Sequence, residues 1–413
     1  GKAQANGKSD PAKQAKSQPA AVPTAKPSHP ARFATAVPEP IASADLAALK
    51  EAVTSARRGR IAQAEDQLRS ISDPVARKLV EWAILRSDEI RKRLWSVAPE
   101  QPLPPEAYTP DVSARVFATL AEASVAAQFT TIAAAAEGCE LIVAATALQM
   151  AARSVAEQRG IRYVFVAYCP AVLPSPHHAP PPLPAIPGQP APPPATSHHE
   201  FWAREAARFN ALFGPSLNAQ RERLGLPPVD DVRAHIFGDR PCLAADAALA
   251  PWDDPANEAV VQPGAFILTD DRPLDPELQA FLGAGEPPIY FGLGSMRAHP
   301  ELGTTLIESA RALGRRAILS RGWAGLSLRE AAPDCLVIDE VNQQALFARV
   351  AAVVHHGGAG TTTTAAMAGA PQVVVPQLYD QHYFAARVGA LGIGVAHAPG
   401  TPTAESLTDA LKG

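Results

Sequence analysis

From Pro288 to the end of the chain, short apolar runs alternate with stretches that place apolar residues on one helical face. The runs at 289–291, 317–319, 336–338, 352–355, 372–375 and 394–396 are of strand length. Between the first two, Leu302, Leu306, Ala310 and Leu313 recur at helical spacing. Strand and helix in alternation predict a parallel sheet covered on both faces, and such sheets bind ligands at the carboxyl ends of their strands. Upstream, an Ala-rich helix over 112–136 leads into a strand at 141–144. A helix at 148–159 follows, stopped by Gly160, and then a strand at 163–167, which completes a β-α-β unit. A Pro-rich loop fills 170–199, and a helix over 200–224 leaves it.

The first part of the chain follows another pattern. Residues 1–44 are rich in Ala, Pro, Lys and Ser and bury too little apolar surface to offset the entropy of ordering, which predicts a disordered tail. Residues 45–97 read as a helical segment. Ser43 or Asp45 caps its start, Leu46, Leu49, Ala52 and Val53 line one face, and a second amphipathic stretch runs over 75–85. The expected division is a tail at 1–44, helices at 45–97, one α/β domain over 106–270 and a second over 280–413.

Composition changes this picture little. The chain has 413 residues, 47% of them hydrophobic, enough for two domains with a sizeable core. A formal net charge of -4 argues against nucleic acid as a partner. No apolar run approaches the ~20 residues that span a bilayer. Cys139, Cys169, Cys242 and Cys335 are scattered, with no C-x-x-C pair to suggest a zinc ribbon or a redox dithiol. Their scatter fits a reducing compartment, so a cytoplasmic location is expected. The chain opens on Gly1 rather than Met, as after removal of a leader or in a fragment.

Candidate chemistry gathers at the predicted strand ends. The run Val353-Val354-His355-His356-Gly357-Gly358-Ala359-Gly360-Thr361-Thr362 is an apolar strand, a glycine turn and a helix start. A helix N-terminus offers unpaired N–H groups and the positive end of a dipole to an anion, and glycines let a diphosphate approach the backbone. His356 and the Thr361 hydroxyl are candidate further donors. A plain tight turn is the alternative. A dinucleotide site fits less well, because Thr363 stands where G-x-G-x-x-G ends and the turn follows the fourth strand of its domain. Asp380 and Gln381, after the next strand, suit sugar hydroxyls, although Asp380 alone reads equally as a helix cap. Ser295 follows Gly292-Leu293-Gly294, and Trp323 follows Ser320-Arg321-Gly322, at two more strand ends.

Four such motifs together resemble the family 1 glycosyltransferases, and closely their glycopeptide-antibiotic (vancomycin-group) branch. HHGGAGTTTTAAMAGAPQVVVPQLYDQHYFAARVGALGIGVAH carries most of the likeness. FGLGS, ILSRGWAGL and IDEVNQQALFARVAAVV support it, and it extends back through LNAQRERLGLPPVDD to about Glu106. The resemblance implies a GT-B fold, in which two Rossmann-like domains face a cleft. The C-terminal domain would hold a UDP- or TDP-sugar, and the N-terminal domain a small-molecule hydroxyl acceptor. It implies an inverting transfer of a hexose or deoxyhexose to a natural product or lipid, with no metal and no cofactor. It further implies that His356, Gly358, Gly360 and Thr361 contact the diphosphate, that Asp380 and Gln381 hold the sugar, that Ser295 approaches the phosphates, and that Val341 and Trp323 border the base. Plant relatives carry an acidic residue for the ribose three positions after the residue matching Thr361. Thr364 stands there, which makes a TDP-sugar an option beside a UDP-sugar. A sugar-nucleotide 2-epimerase would share the architecture.

The run SISDPVARKLVEWAILRSDE resembles the N-terminal helical region of soluble lytic transglycosylases and carries over no activity, though it admits an envelope scaffold as another reading. The Gly-rich opening strand and base-bearing loop implied for the acceptor domain are not found ahead of it. The N-terminal domain is therefore expected to be incomplete, with an open sheet edge, and the alternative to a working transferase is a catalytically impaired fusion or fragment that only binds nucleotide sugar. His177 and His178, in the Pro-rich loop, are candidate bases by chemistry. His198-His199-Glu200 lacks a third ligand spaced to hold a metal. The run APPPLPAIPGQPAPPP reads as a stiff surface loop or a ligand for an aromatic groove.

Overall fold

A computed structural model describes residues 42–57, 60–73, 76–77, 80, 110–145, 148–181, 196–254, 257–294, 301–322, 326, 328, 332–377, 379–398 and 401–413. The expected disordered tail, most of the second amphipathic stretch, Ser295 and Trp323 lie outside the described residues. At the start, helices α1 (Ser43–Arg57) and α2 (Ile61–Arg69) form a hairpin whose small apolar core holds Ala52, Ala56, Ile61, Ala64 and Ile71. Asp45 is not the simple helix cap expected of it. Its carboxylate reaches across the hairpin and accepts from the N–H groups of Ser72 (3.1 Å) and Asp73 (2.7 Å).

The first α/β layer begins with α3 (Pro110–Ala135), β1 (Leu141–Ala145), α4 (Ala152–Arg159) and β2 (Arg162–Ala167). After the Pro-rich stretch come α5 (His198–Arg223), α6 (Val232–Phe237) and β3 (Cys242–Leu243). The three strands pair in the order β1-β2-β3, all parallel. Gly160 ends α4 in the left-handed conformation, as the sequence predicts. Val143 is 57% exposed on β1, which pairs with β2 alone among the described residues.

The second layer holds α7 (Pro276–Gly283), β4 (Ile289–Gly292), α8 (Leu302–Ala312), β5 (Ala317–Ser320), β6 (Cys335–Ile338), α9 (Gln343–Phe347), β7 (Ala352–His355), α10 (Ala359–Met367), β8 (Gln372–Val374), α11 (Gln381–Ala390), β9 (Gly394–Ala396) and α12 (Ala404–Lys412). Its six strands are all parallel, in the order β6-β5-β4-β7-β8-β9. Every residue of β4, β7 and β8 is buried, because helices cover both faces. The chain winds outward one way from β4 and the other way from β7, so the carboxyl ends of these two strands flank the crevice where the topology reverses.

Candidate functional site

Four strand-end turns converge on that crevice. The turn after β7 is built around two adjacent histidines. His355, fully buried, donates from Nε2 to the Gln372 side-chain oxygen (2.9 Å), and its Nδ1 accepts from the Gly357 N–H (3.1 Å). Both nitrogens are thus engaged by a neutral ring, and burial pushes its pKa down to about 3. His356 is 8% exposed, and its Nδ1 is buried with no hydrogen-bond partner. Burial lowers its pKa as well, opposed by the Gly292 carbonyl against the ring.

The β4 turn presses on this ring, and the β5 turn presses on the β4 turn. Gly294 has φ 58, and a Cβ there would stand 2.7 Å from His356 Cε1. A Cβ on Gly322 would meet the Gly294 carbonyl at 2.7 Å. On the other side Gly357, at φ 90, leaves no room for a side chain: a Cβ would lie 2.8 Å from Val374 Cγ1 and 3.0 Å from the Gln381 carbonyl. The glycines therefore serve close approach between turns as much as approach to a ligand.

Helix α10 begins with Gly358 at its N-cap, and no side chain caps it. The Thr362 and Thr363 hydroxyls bond back to the carbonyls of Gly358 (2.9 Å) and Ala359 (2.7 Å). The Thr361 hydroxyl has no such partner among the described residues. Gly360 is exposed, and a Cβ there would meet nothing within 4 Å. Free N–H groups, an unpartnered buried imidazole nitrogen and an open glycine face together suit an oxyanion group.

Asp380 stands at the N-cap of α11, but its side chain makes no cap bond. Burial raises its pKa. Gln381, 5% exposed, accepts through its side-chain oxygen from the Gln377 N–H (2.8 Å), which closes the turn that carries the pair. Val341 is half-buried against the core around Tyr290 and Phe347.

The loop after β2 places the two candidate bases differently. His178 Nδ1 faces the Asp253 carboxylate (2.7 Å) and its Nε2 faces the Leu173 carbonyl (2.9 Å). The His178 ring lies edge-on to Trp202 and Trp252. His177 is exposed, with Nε2 3.9 Å from Asp254 Oδ1. His198 Nδ1 lies 2.9 Å from the Pro176 carbonyl, while Glu200 accepts from the Thr196 N–H (2.8 Å), so these neighbours serve separate partners.

Two positions carry more of the site than their types suggest. His355 builds the glycine turn, and its only sequence signal is that it ends an apolar strand. Tyr379 is the non-glycine residue with positive φ (58) among the described residues, directly before Asp380, and nothing in its residue type announces that.

Comparison with known proteins fits this geometry. Residues 312–413 match the family model described as erythromycin biosynthesis protein CIII-like, C-terminal domain. Glycosyltransferase GtfE of Amycolatopsis orientalis is 52% identical over 290 residues, 70% of this chain and 70% of its own. The vancomycin aglycone glucosyltransferase of the same organism is 46% identical over 290 residues, again 70% of each chain. The crystal structure of the glycotransferase of kitacinnamycin superposes with a TM-score of 0.51 at 21% identity, covering 72% of this chain and 73% of that one. That likeness shows the fold, GT-B, with two Rossmann-like layers. By identity and coverage together, the chain belongs to the vancomycin-group glycosyltransferases.

Proposed function

We propose that the chain transfers a hexose or deoxyhexose from a UDP- or TDP-sugar to a hydroxyl group of a glycopeptide aglycone. The observation that carries this reading is His356 in the turn just ahead of α10, with a buried, unpartnered Nδ1 against the β4 turn. A diphosphate placed there would receive the free N–H groups of α10, the imidazole and the Thr361 hydroxyl, with Gly358 and Gly360 giving it access and Ser295 approaching from the β4 turn. Asp380 and Gln381 would face the sugar, and Val341 and Trp323 would border the base. Residues 280–413 would form the donor domain, and 106–270 would supply the acceptor side. The acceptor follows from the name of the vancomycin aglycone glucosyltransferase, 46% identical to this chain.

In the transfer, the acceptor oxygen forms a bond to the sugar C1 as the bond from C1 to the diphosphate oxygen breaks. The electron pair leaves with the diphosphate, whose growing charge the α10 N-terminus stabilises, and the hydroxyl proton passes to a base on the acceptor side. His177 is the imidazole in the acceptor-side loop that is open to solvent. A 2-epimerase, or a chain that binds donor without transferring it, would share the fold, and no observation favours either. No helix among the described residues is long and apolar enough to cross a membrane.

The test is calorimetric binding of UDP and TDP, with transfer from UDP-glucose and dTDP-glucose to vancomycin aglycone followed by mass spectrometry. His356→Ala is expected to weaken nucleotide binding by about tenfold or more, the value of one charge-assisted hydrogen bond. Unchanged affinity would remove the carrying observation.

A further inference from the structure

The helix that begins with the proposed sugar-binding pair belongs, along its inner face, to the other layer. Phe384, 1% exposed, is part of the core built from β2, α5 and α6, and Tyr379 and Tyr383 pack on the same core. One turn further on, Arg387 reaches the backbone of the first layer. Its Nε donates to the Leu249 carbonyl (2.8 Å) and its Nη2 to the Ala248 carbonyl (3.0 Å).

The receiving turn is itself fixed. The Asp246 carboxylate accepts from the N–H groups of Ala248 (2.9 Å) and Leu249 (3.0 Å). Gln262 Nε2 donates to the carbonyls of Ala245 and Ala250, both at 2.9 Å. At the near end, Tyr379 is held in a left-handed conformation that a side chain rarely adopts unless its surroundings impose it. Burial raises the pKa of its hydroxyl, and the charge of Arg233 opposes that rise. Arg233 is fastened by Glu205 and the Val172 carbonyl (3.1 Å), over the rings of Trp202, Phe209 and Phe237. The second layer meets the same helix through Val374, which packs on Ala385 and Val388, and through the Gly357 turn, which lies against Gln381.

We propose that Arg387 is a positioning residue for sugar transfer: its fork on the Ala248 and Leu249 carbonyls fixes α11, and so fixes Asp380 and Gln381 over the crevice. The first layer thereby sets the sugar pocket of the second. The proposal rests on the reading of Asp380 as a sugar contact. It separates two parts of donor recognition. The diphosphate site on α10 and His356 owes nothing to Arg387, whereas the sugar site depends on it. Displacements of about 1 Å in a positioned group cost up to a hundredfold in rate.

The experiment compares wild type, Arg387→Ala, Arg387→Lys and Asp380→Asn. It reads kcat and KM for UDP-glucose and dTDP-glucose with vancomycin aglycone, and Kd for UDP and TDP by calorimetry. Arg387→Ala is expected to lose about ten- to hundredfold in kcat/KM while its affinity for UDP and TDP stays within about twofold. Arg387→Lys keeps a donor for one carbonyl and is expected to fall between. If Arg387→Ala proves insoluble, a loss of about threefold or more in Arg387→Lys, with nucleotide affinity unchanged, supports the proposal, and no loss overturns it. A drop in melting temperature with kcat/KM intact would show Arg387 to be a structural fastener only. An equal loss of UDP or TDP affinity would show that the whole donor site depends on it, and either result overturns the proposal. Asp380→Asn separates the two failures. If it is impaired and Arg387→Ala is not, the positioning role alone fails; if Asp380→Asn transfers normally, the sugar-contact reading fails first.

Discussion

His355 and His356 are neighbours of one residue type with opposite roles, and hydrogen bonding decides between them. His355 has both nitrogens committed within the protein, which fixes it as a neutral brace. His356 has Nδ1 unpartnered, and burial holds its pKa below the ordinary imidazole value. An incoming diphosphate stabilises the charged ring, so the bound pKa must lie above the free one. Between the two values, binding takes up protons, and affinity falls as pH rises through the bound-state pKa. Calorimetric titration of UDP near pH ~6.5, in buffers of different ionisation enthalpy, should show net uptake in wild type relative to His356→Gln. Because UDP titrates in the same range, the difference between the two proteins is the informative quantity. Equal uptake in both would assign the proton elsewhere.

At the level of elements, the glycine turn after β7 makes two separable predictions. Gly357→Ala puts a methyl group into Val374 and the Gln381 carbonyl at a φ of 90. It should cost about 1–3 kcal/mol of stability, read as a lower denaturation midpoint. Gly360→Ala meets open space inside α10. It should leave stability unchanged or raise it by up to about 1 kcal/mol, yet weaken UDP and TDP binding, because the methyl group stands where the diphosphate is proposed to lie. Intact binding in Gly360→Ala would move the ligand off that face.

These elements were largely legible in the sequence, since buried parallel strands are short, near-continuous apolar runs bounded by turn residues. All six strands of the second layer lie where the periodicity puts them, within one residue at each end. The misses have local causes. Strand β3 is two residues long and carries no periodicity. Helix α4 begins at Ala152 rather than 148, because residues 148–151 form a turn in which the Leu148 carbonyl accepts from the Gln128 side chain (3.0 Å). Asp380 looked like a cap because its position and type are those of one, but its dihedrals are helical and its carboxylate is left for other work. Arg387 was illegible, because its partners are main-chain carbonyls 138 and 139 residues away, and a carbonyl has no residue type.

On the scale of the molecule, the two layers are not independent bodies joined by a linker. Phe384 belongs by sequence to the second layer and by burial to the first, where it shares a core with Phe209, Leu217 and Ile236. Removing the first layer would expose this ring and leave the Arg387 guanidinium without its two carbonyls, so the layers should unfold together. Scanning calorimetry is therefore expected to show one endotherm across both layers. UDP at about a hundred times its Kd should move that endotherm as a unit, since ligand that binds only the folded state adds about 2.7 kcal/mol to whatever unfolds with its site. Phe384→Ala should cost about 3–5 kcal/mol and split the transition, because the cavity lies at the junction. After the split, only the component that carries His356 should still respond to UDP. Two transitions in wild type, with ligand shifting just one, would mean that the shared core is too small to couple the layers. The sugar pocket would then depend on a contact that opens well below the melting temperature of either layer.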